Sequence, residues 1–99
     1  MQINFEFVNL TQSDRLEELT RKKLDKLAIR YDFLIRAQVF FKKENTVGEK
    51  GKKCNIKLSL PGPLIFAESD ENSLEAAMHE TIRDLEVQLK KRKATMSAH

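Results

Sequence analysis

From its second residue the chain alternates. Ile3, Phe5 and Phe7 share one face and Gln2, Asn4 and Glu6 the other, which is the period of a half-buried strand. At Ser13 the period changes. Ser13 can cap a helix, Asp14, Glu17 and Glu18 put negative charge in its first turns, and Leu16, Leu19, Leu24, Leu27 and Tyr31 follow at helical spacing. The pattern predicts a helix over residues 14–31. Residues 35–43 read as a second strand, with Val39 and Phe41 alternating against Gln38 and Phe40. Residues 43–53, charged and glycine-bearing, read as a solvated hairpin tip. Strand character returns at Cys54, Ile56, Leu58 and Leu60; Pro61, Gly62 and Pro63 then mark a turn, and residues 64–68 give a short fourth strand.

The last helix has the clearest pattern. Asn72 and Glu75 have capping-box spacing, and Leu74, Ala77, Met78, Thr81, Ile82, Leu85 and Leu89 form an apolar stripe. Residues 94–99 carry no pattern and are expected to fray, leaving one domain over residues 1–93. The predicted fold is α+β in the order β-α-β-β-β-α, with two parallel helices packed on one face of a four-stranded mixed sheet. A right-handed crossover makes the first two strands parallel. Hairpins then make strands two, three and four successively antiparallel. Each helix doubles back from a parallel strand, so the helices run the same way and their C-terminal ends meet.

Composition narrows the classes. With 99 residues, 40% hydrophobic and 33% charged, the chain is too apolar to be disordered and too polar for a membrane protein. No apolar run approaches the ~18 residues that read as a membrane span. The start has neither a basic segment nor a continuous apolar stretch, so no secretory signal is expected and the chain is assigned to the cytoplasm. One cysteine and two histidines leave no disulfide framework and no multi-cysteine zinc site.

A net charge of +3, from 18 basic and 15 acidic residues, names no partner. Its distribution is more informative. The first helix closes with Arg21, Lys22, Lys23, Lys26 and Arg30, and the second with Lys90, Lys91, Arg92 and Lys93; Arg15, Lys22, Lys26 and Arg30 share one flank, and Arg83 and Lys90 point outward. Acids at helix starts and bases at helix ends also complement the macrodipole with no partner at all. Two basic termini converging in one small domain favour a polyanion site. Lys22, Lys23, Lys26, Arg30, Arg83, Lys90, Lys91, Arg92 and Lys93 are the candidate RNA-binding residues. Lysines without interleaved exposed aromatics imply recognition of backbone and shape. Phe5, Phe7, Phe41 and Phe66 could imitate a stacking platform but are read as core.

The order of elements, the basic helix ends and several short motifs together resemble the short ribosome hibernation-promoting factors, also called the S30EA or sigma-54 modulation family. The motifs are Met1-Gln2-Ile3-Asn4, Lys23-Leu24-Asp25-Lys26-Leu27, Ala76-Ala77-Met78 and Leu85-Glu86-Val87-Gln88-Leu89-Lys90-Lys91. The resemblance implies a protein that sits in the decoding channel of the small ribosomal subunit, contacts its rRNA and blocks mRNA and tRNA. Lys23, Lys26 and Lys91 match positions that are typically basic in the family. Two customary cations are absent. Where the family often reads Asp-x-Tyr-x-Ala-Ile-Asp this chain has Ser73-Leu74-Glu75-Ala76-Ala77-Met78-His79, and where it often reads Lys-Leu-x-Arg-Gln-Leu this chain has Asp84-Leu85-Glu86-Val87-Gln88-Leu89. Asp84 reverses a sign, and Arg83 and Lys90 are the neighbours placed to compensate. Long members add a C-terminal dimerisation domain; without it the chain is expected to be a monomer when free and not to pair ribosomes itself.

No catalytic constellation is present in the sequence. His79 lies among Glu75, Glu80 and Arg83 as a surface residue, and Cys54 opens a strand as a buried thiol with no histidine at useful spacing. Gly48, Gly51 and Gly62 fit neither a P-loop nor a dinucleotide fingerprint, and Asp70, Glu71 and Glu75 read as helix-start acids. The expectation is therefore a non-enzyme needing no cofactor, metal or small-molecule substrate. Two other readings stay open: a protein-interaction module whose exposed sheet face or edge recruits an acidic partner, suggested by Ile29 and Val87 on polar helical faces, and a general double-stranded RNA binder.

Overall fold

A computed structural model describes residues 1–44 and 51–97. The elements are β1 (Gln2–Val8), α1 (Asp14–Arg30), β2 (Arg36–Lys43), β3 (Lys52–Ser59), β4 (Ile65–Glu71) and α2 (Leu74–Ser97). The sheet order is β1-β2-β3-β4. β1 pairs parallel with β2, while β2 with β3 and β3 with β4 are antiparallel. This is the predicted α+β architecture. Most of the expected hairpin tip lies outside the described residues.

Strand alternation builds the core. Three rows cross the sheet on the helix side: Ile3, Ala37, Leu58 and Ile65; Phe5, Val39, Ile56 and Ala67; and Phe7, Phe41, Cys54 and Ser69. Leu16, Leu24 and Leu27 of α1 and Ala77, Met78, Ile82, Leu85 and Leu89 of α2 close over them. Phe41 has no exposed surface, and its ring stacks on Phe7 with centroids 5.5 Å apart. Two threonines are buried among these apolar residues with their hydroxyls satisfied. Thr20 donates to the Leu16 carbonyl at 2.7 Å, and Thr81 lies 2.8 Å from the Ala77 carbonyl and 3.2 Å from that of Cys54.

Boundaries differ from expectation most clearly at the end of β4 and at both ends of α2; β3 also opens two residues early, at Lys52. The α2 cap is Ser73, whose hydroxyl accepts from the Ala76 amide at 3.1 Å, and not Asn72. The cause is β4, which runs on to Glu71 and leaves only two residues before the helix. β4 is extended because Asp70 and Glu71 fall opposite Lys53 and Lys52, cross-strand charge pairs that support a strand. At the other end, α2 stays helical through Ser97, beyond the boundary at residue 93.

The β3–β4 turn is clamped from α2. The Arg92 guanidinium donates to the carbonyls of Pro61 at 3.2 Å and Pro63 at 2.7 Å. Gly62 between them has φ of 95°, a conformation that suits glycine.

Because Phe41 is wholly enclosed between the sheet and its neighbours, Phe41→Ala should lower stability by about 3–5 kcal/mol. Urea unfolding followed by circular dichroism reads this directly. A loss under about 1 kcal/mol would mean the ring is not packed as described.

Candidate nucleic-acid interface

Three contacts show the two helices running side by side in the same direction. Arg15 near the start of α1 meets Glu75 at 3.7 Å, and Arg30 at its end meets Glu86 at 3.9 Å. The Lys93 ammonium lies 3.5 Å from the Arg30 carbonyl, where it serves one of the carbonyls a helix end leaves unpaired. With 24 residues against 17, α2 outlasts α1 by roughly 10 Å at 1.5 Å per residue. Thus the end of α1 lies against the flank of α2 at residues 86–93.

Helical spacing makes that junction cationic. On α1, Lys23, Lys26 and Arg30 follow at i, i+3 and i+7, on the flank whose last member touches α2. On α2, Arg83, Glu86, Lys90 and Lys93 form the facing stripe. Between them lies a shallow hollow of about 440 Å³ lined by Arg30, Tyr31, Lys90, Lys93 and Ala94. A second, of about 260 Å³, shares Arg30, Tyr31 and Lys90 and adds Arg83, Glu86 and Val87.

Tyr31 is the floor of this groove. Its amide donates to the Leu27 carbonyl at 2.7 Å to end α1, and its ring is only 4% exposed. The Arg30 guanidinium lies 5.5 Å from the ring centroid and the Lys93 ammonium 5.6 Å, both within cation–π range. Phe33 meets the ring edge-on at 6.1 Å. One aromatic ring therefore attracts two cations that would otherwise repel each other, each contact contributing about 0.5–1 kcal/mol at such exposure.

The candidate cations separate by position. Arg30, Lys90 and Lys93 line the groove, and Arg83 lines its extension while paired with Glu80 at 2.8 Å. Lys23 and Lys26 are exposed on the adjoining α1 stripe, and Lys22 pairs with Glu18 at 3.5 Å. Lys91 and Arg92 are not brought into the groove. Lys91 falls on the far flank with Asp84 and Gln88, the latter donating to the Phe66 carbonyl of β4 at 2.8 Å, and Arg92 holds the proline turn. Exposed ion pairs of this kind are worth about 0–1 kcal/mol; a phosphate can exchange with them at little cost. Among the described residues, Lys23, Lys26, Lys90 and Lys91 form no ion pair.

Residues 3–97 match the family described as Sigma 54 modulation protein / S30EA ribosomal protein. The chain belongs to that family. Among solved structures, this S30EA chain is similar to a ribosomal subunit interface protein from Coxiella burnetii, with a TM-score of 0.85 and 28% identity, over 95% of this chain and 99% of that one. It is also similar to the N-terminal domain of Protein Y from Thermus thermophilus, with a TM-score of 0.77 and 30% identity, over 92% of this chain and 98% of that one. A search of curated proteins returned no match.

Elsewhere the S30EA chain differs from its sequence reading at one aromatic. Phe41 is core and Phe5 and Phe7 pack against it, as expected, but Phe66 is 44% exposed. It belongs to the row Asn4, Gln38, Lys57 and Phe66 on the sheet face away from the helices. The Ile65–Leu58 pairing sets this parity. In the sequence Tyr31 shows only as a stripe residue, because a groove floor depends on which helix lies alongside. Among the described residues no cluster of three or more His, Cys, Asp or Glu could hold a metal, and no helix is long and apolar enough to cross a membrane.

Cys54 is buried, and burial pushes its thiol up to about 12, with the Thr81 hydroxyl opposing weakly. Since the thiolate is the reactive form, the folded protein at pH 8 should resist a disulfide thiol reagent until urea unfolds it. Prompt labelling of the native protein would contradict this burial. The same shift has a linkage consequence: between pH 9 and 12 the unfolded thiol ionises while the folded one does not, so stability falls as pH rises through that window.

Proposed function

We propose that this S30EA chain binds the small ribosomal subunit by clamping rRNA phosphates in the groove between the end of α1 and the flank of α2. Its bulk then excludes mRNA and tRNA from the decoding channel, and translation is silenced without turnover. One observation supports this reading above the others: Arg30, Lys90 and Lys93 are gathered around Tyr31 at the junction of two parallel helices. The family description as a ribosomal protein and the name of one structural relative, a ribosomal subunit interface protein, support the ribosome as the polyanion. Lysine and arginine suit rRNA backbone because they neutralise phosphate and release its counterions, and such binding weakens steeply with salt.

The groove also suits phosphate better than protein. Ile29, though 82% exposed, stands among Lys22, Asp25 and Lys26 at helical spacing, and Val87 among Arg83, Asp84, Lys90 and Lys91. Single apolar residues in charged surroundings are ordinary for a protein surface and offer an acidic partner no apolar anchor.

Co-sedimentation with purified small subunits across a salt series tests the reading. Lys26→Glu, Lys90→Glu and Lys93→Glu together should weaken binding more than tenfold at physiological salt. They should also flatten the plot of log affinity against log salt by about two to three units, near one per lost phosphate contact. Unaltered binding and slope would refute the groove. Equal affinity for a plain RNA duplex would refute subunit-specific recognition.

A further inference from the structure

The helices cover one face of the sheet and leave the other to solvent. Its residues form four rows in register: Gln2, Arg36 and Ser59; Asn4, Gln38, Lys57 and Phe66; Glu6, Phe40, Asn55 and Glu68; and Val8, Lys42, Lys53 and Asp70. Leu64, 58% exposed, continues the first row ahead of β4 by alternation. Charge is divided along this face. The first two rows carry Arg36 and Lys57 and no carboxylate. The acids lie in the third and fourth rows, where Glu68 accepts from the Asn55 amide at 3.2 Å and Glu44 beside Lys42 and Lys53 neutralises the far end at 3.3 and 3.2 Å.

Two aromatic rings bracket the cationic half. Phe66 lies directly across from Lys57, and the Lys57 ammonium sits 5.8 Å from the Phe40 ring centroid. Phe66 is held in place, because Gln88 of α2 donates to its carbonyl. Around the rings the side chains of Gln2, Asn4, Gln38 and Ser59 are neutral donors and acceptors, suited to the polar edges of nucleobases. Phe66 is the exposed ring and Phe40 is half-buried beneath Lys57; aromatics on a rigid sheet, flanked by cations, are the chemistry by which proteins stack unpaired bases.

We propose that this open sheet face is a second binding surface, for a short stretch of single-stranded RNA: bases stack on Phe66 and Phe40 while phosphates track Lys57 and Arg36. Duplex RNA does not fit, since its bases are stacked on each other and present no free π face. A second copy of this chain, turned so that each cationic half meets the acids of the other, is the competing occupant, and the test below separates it from RNA.

The surface is independent of the helix groove and is tested separately with the full chain. Fluorescence anisotropy compares three labelled probes at one salt concentration: a mixed-sequence ten-nucleotide RNA, a ribose-phosphate oligomer of the same length without bases, and a ten-base-pair duplex. The single strand should bind about tenfold tighter than the abasic oligomer. Phe66→Ala, at an exposed position, should remove that preference without weakening abasic binding, and Phe66→Tyr should restore it. Lys57→Ala should weaken the single strand severalfold, giving a second reading from an exposed side chain outside the core. Lys90→Glu with Lys93→Glu should leave the ratio of single-strand to abasic affinity unchanged even as overall binding falls. The proposal is overturned by equal affinity for RNA and abasic oligomer, by Phe66→Ala leaving the ratio intact, or by sedimentation velocity showing that Phe66→Ala alters self-association alone.

Discussion

The parallel pairing of β1 with β2 is the constraint from which the rest follows. A parallel neighbour cannot be reached by a hairpin, so α1 must carry the chain back across the sheet. Two antiparallel steps then return β4 to the direction of β1, and α2 retraces the course of α1. Both helix C-termini, each equivalent to roughly half a negative charge, are delivered to the same side. Cations are favoured there before any partner is considered. The ring of Tyr31 and the carbonyl of Arg30 let Arg30 and Lys93 share that space, and Glu86 offsets part of their repulsion. At α1 dipole compensation and phosphate binding are thus two consequences of one arrangement, since Arg30 sits in its last turn; Lys90 and Lys93 join it from the flank of α2, whose own last turn carries no base.

The same topology divides the sheet. Odd-numbered positions of β1 and β2 and even-numbered positions of β3, together with Ile65 and Ala67, face the helices and make a dry core. That burial leaves Cys54 inert and requires Thr20 and Thr81 to satisfy their hydroxyls on nearby carbonyls. The opposite positions face water. A two-layer sandwich therefore has two chemically different surfaces, a lysine-lined helical groove and an open sheet face that carries the exposed Phe66 ring. The first is proposed for phosphates and the second for unpaired bases.

Much of this was legible along the chain because periodicity is a local signal. The Ile3, Phe5 and Phe7 alternation, the Ser13 cap and the Leu74 to Leu89 stripe each predict their element from adjacent residues. What escaped depends on partners distant in sequence. The strand at Asp70 and Glu71 looks like a loop until Lys53 and Lys52 are set across from it, and that extension displaces the cap from Asn72 to Ser73. Arg92 reads as one more terminal cation, yet it is committed to a turn some thirty residues earlier, while Lys91 falls on the wrong flank by one step of the helix. Tyr31 and Phe66 change meaning for the same reason: the first became a groove floor through α2, and the second moved to the surface through the register of β3 with β4. The distribution of charge pointed to the end of the molecule where these cations gather, but only packing separated those that share a cavity from those that merely share a helix turn.

Docking of the polyanion where the end of α1 meets α2 is read by amide hydrogen exchange on the chain alone and bound to purified small subunits. Exchange should slow at the end of α1 around Arg30 and Tyr31 and along α2 around Lys90 and Lys93. Exchange there that is the same in the bound and free states would contradict it.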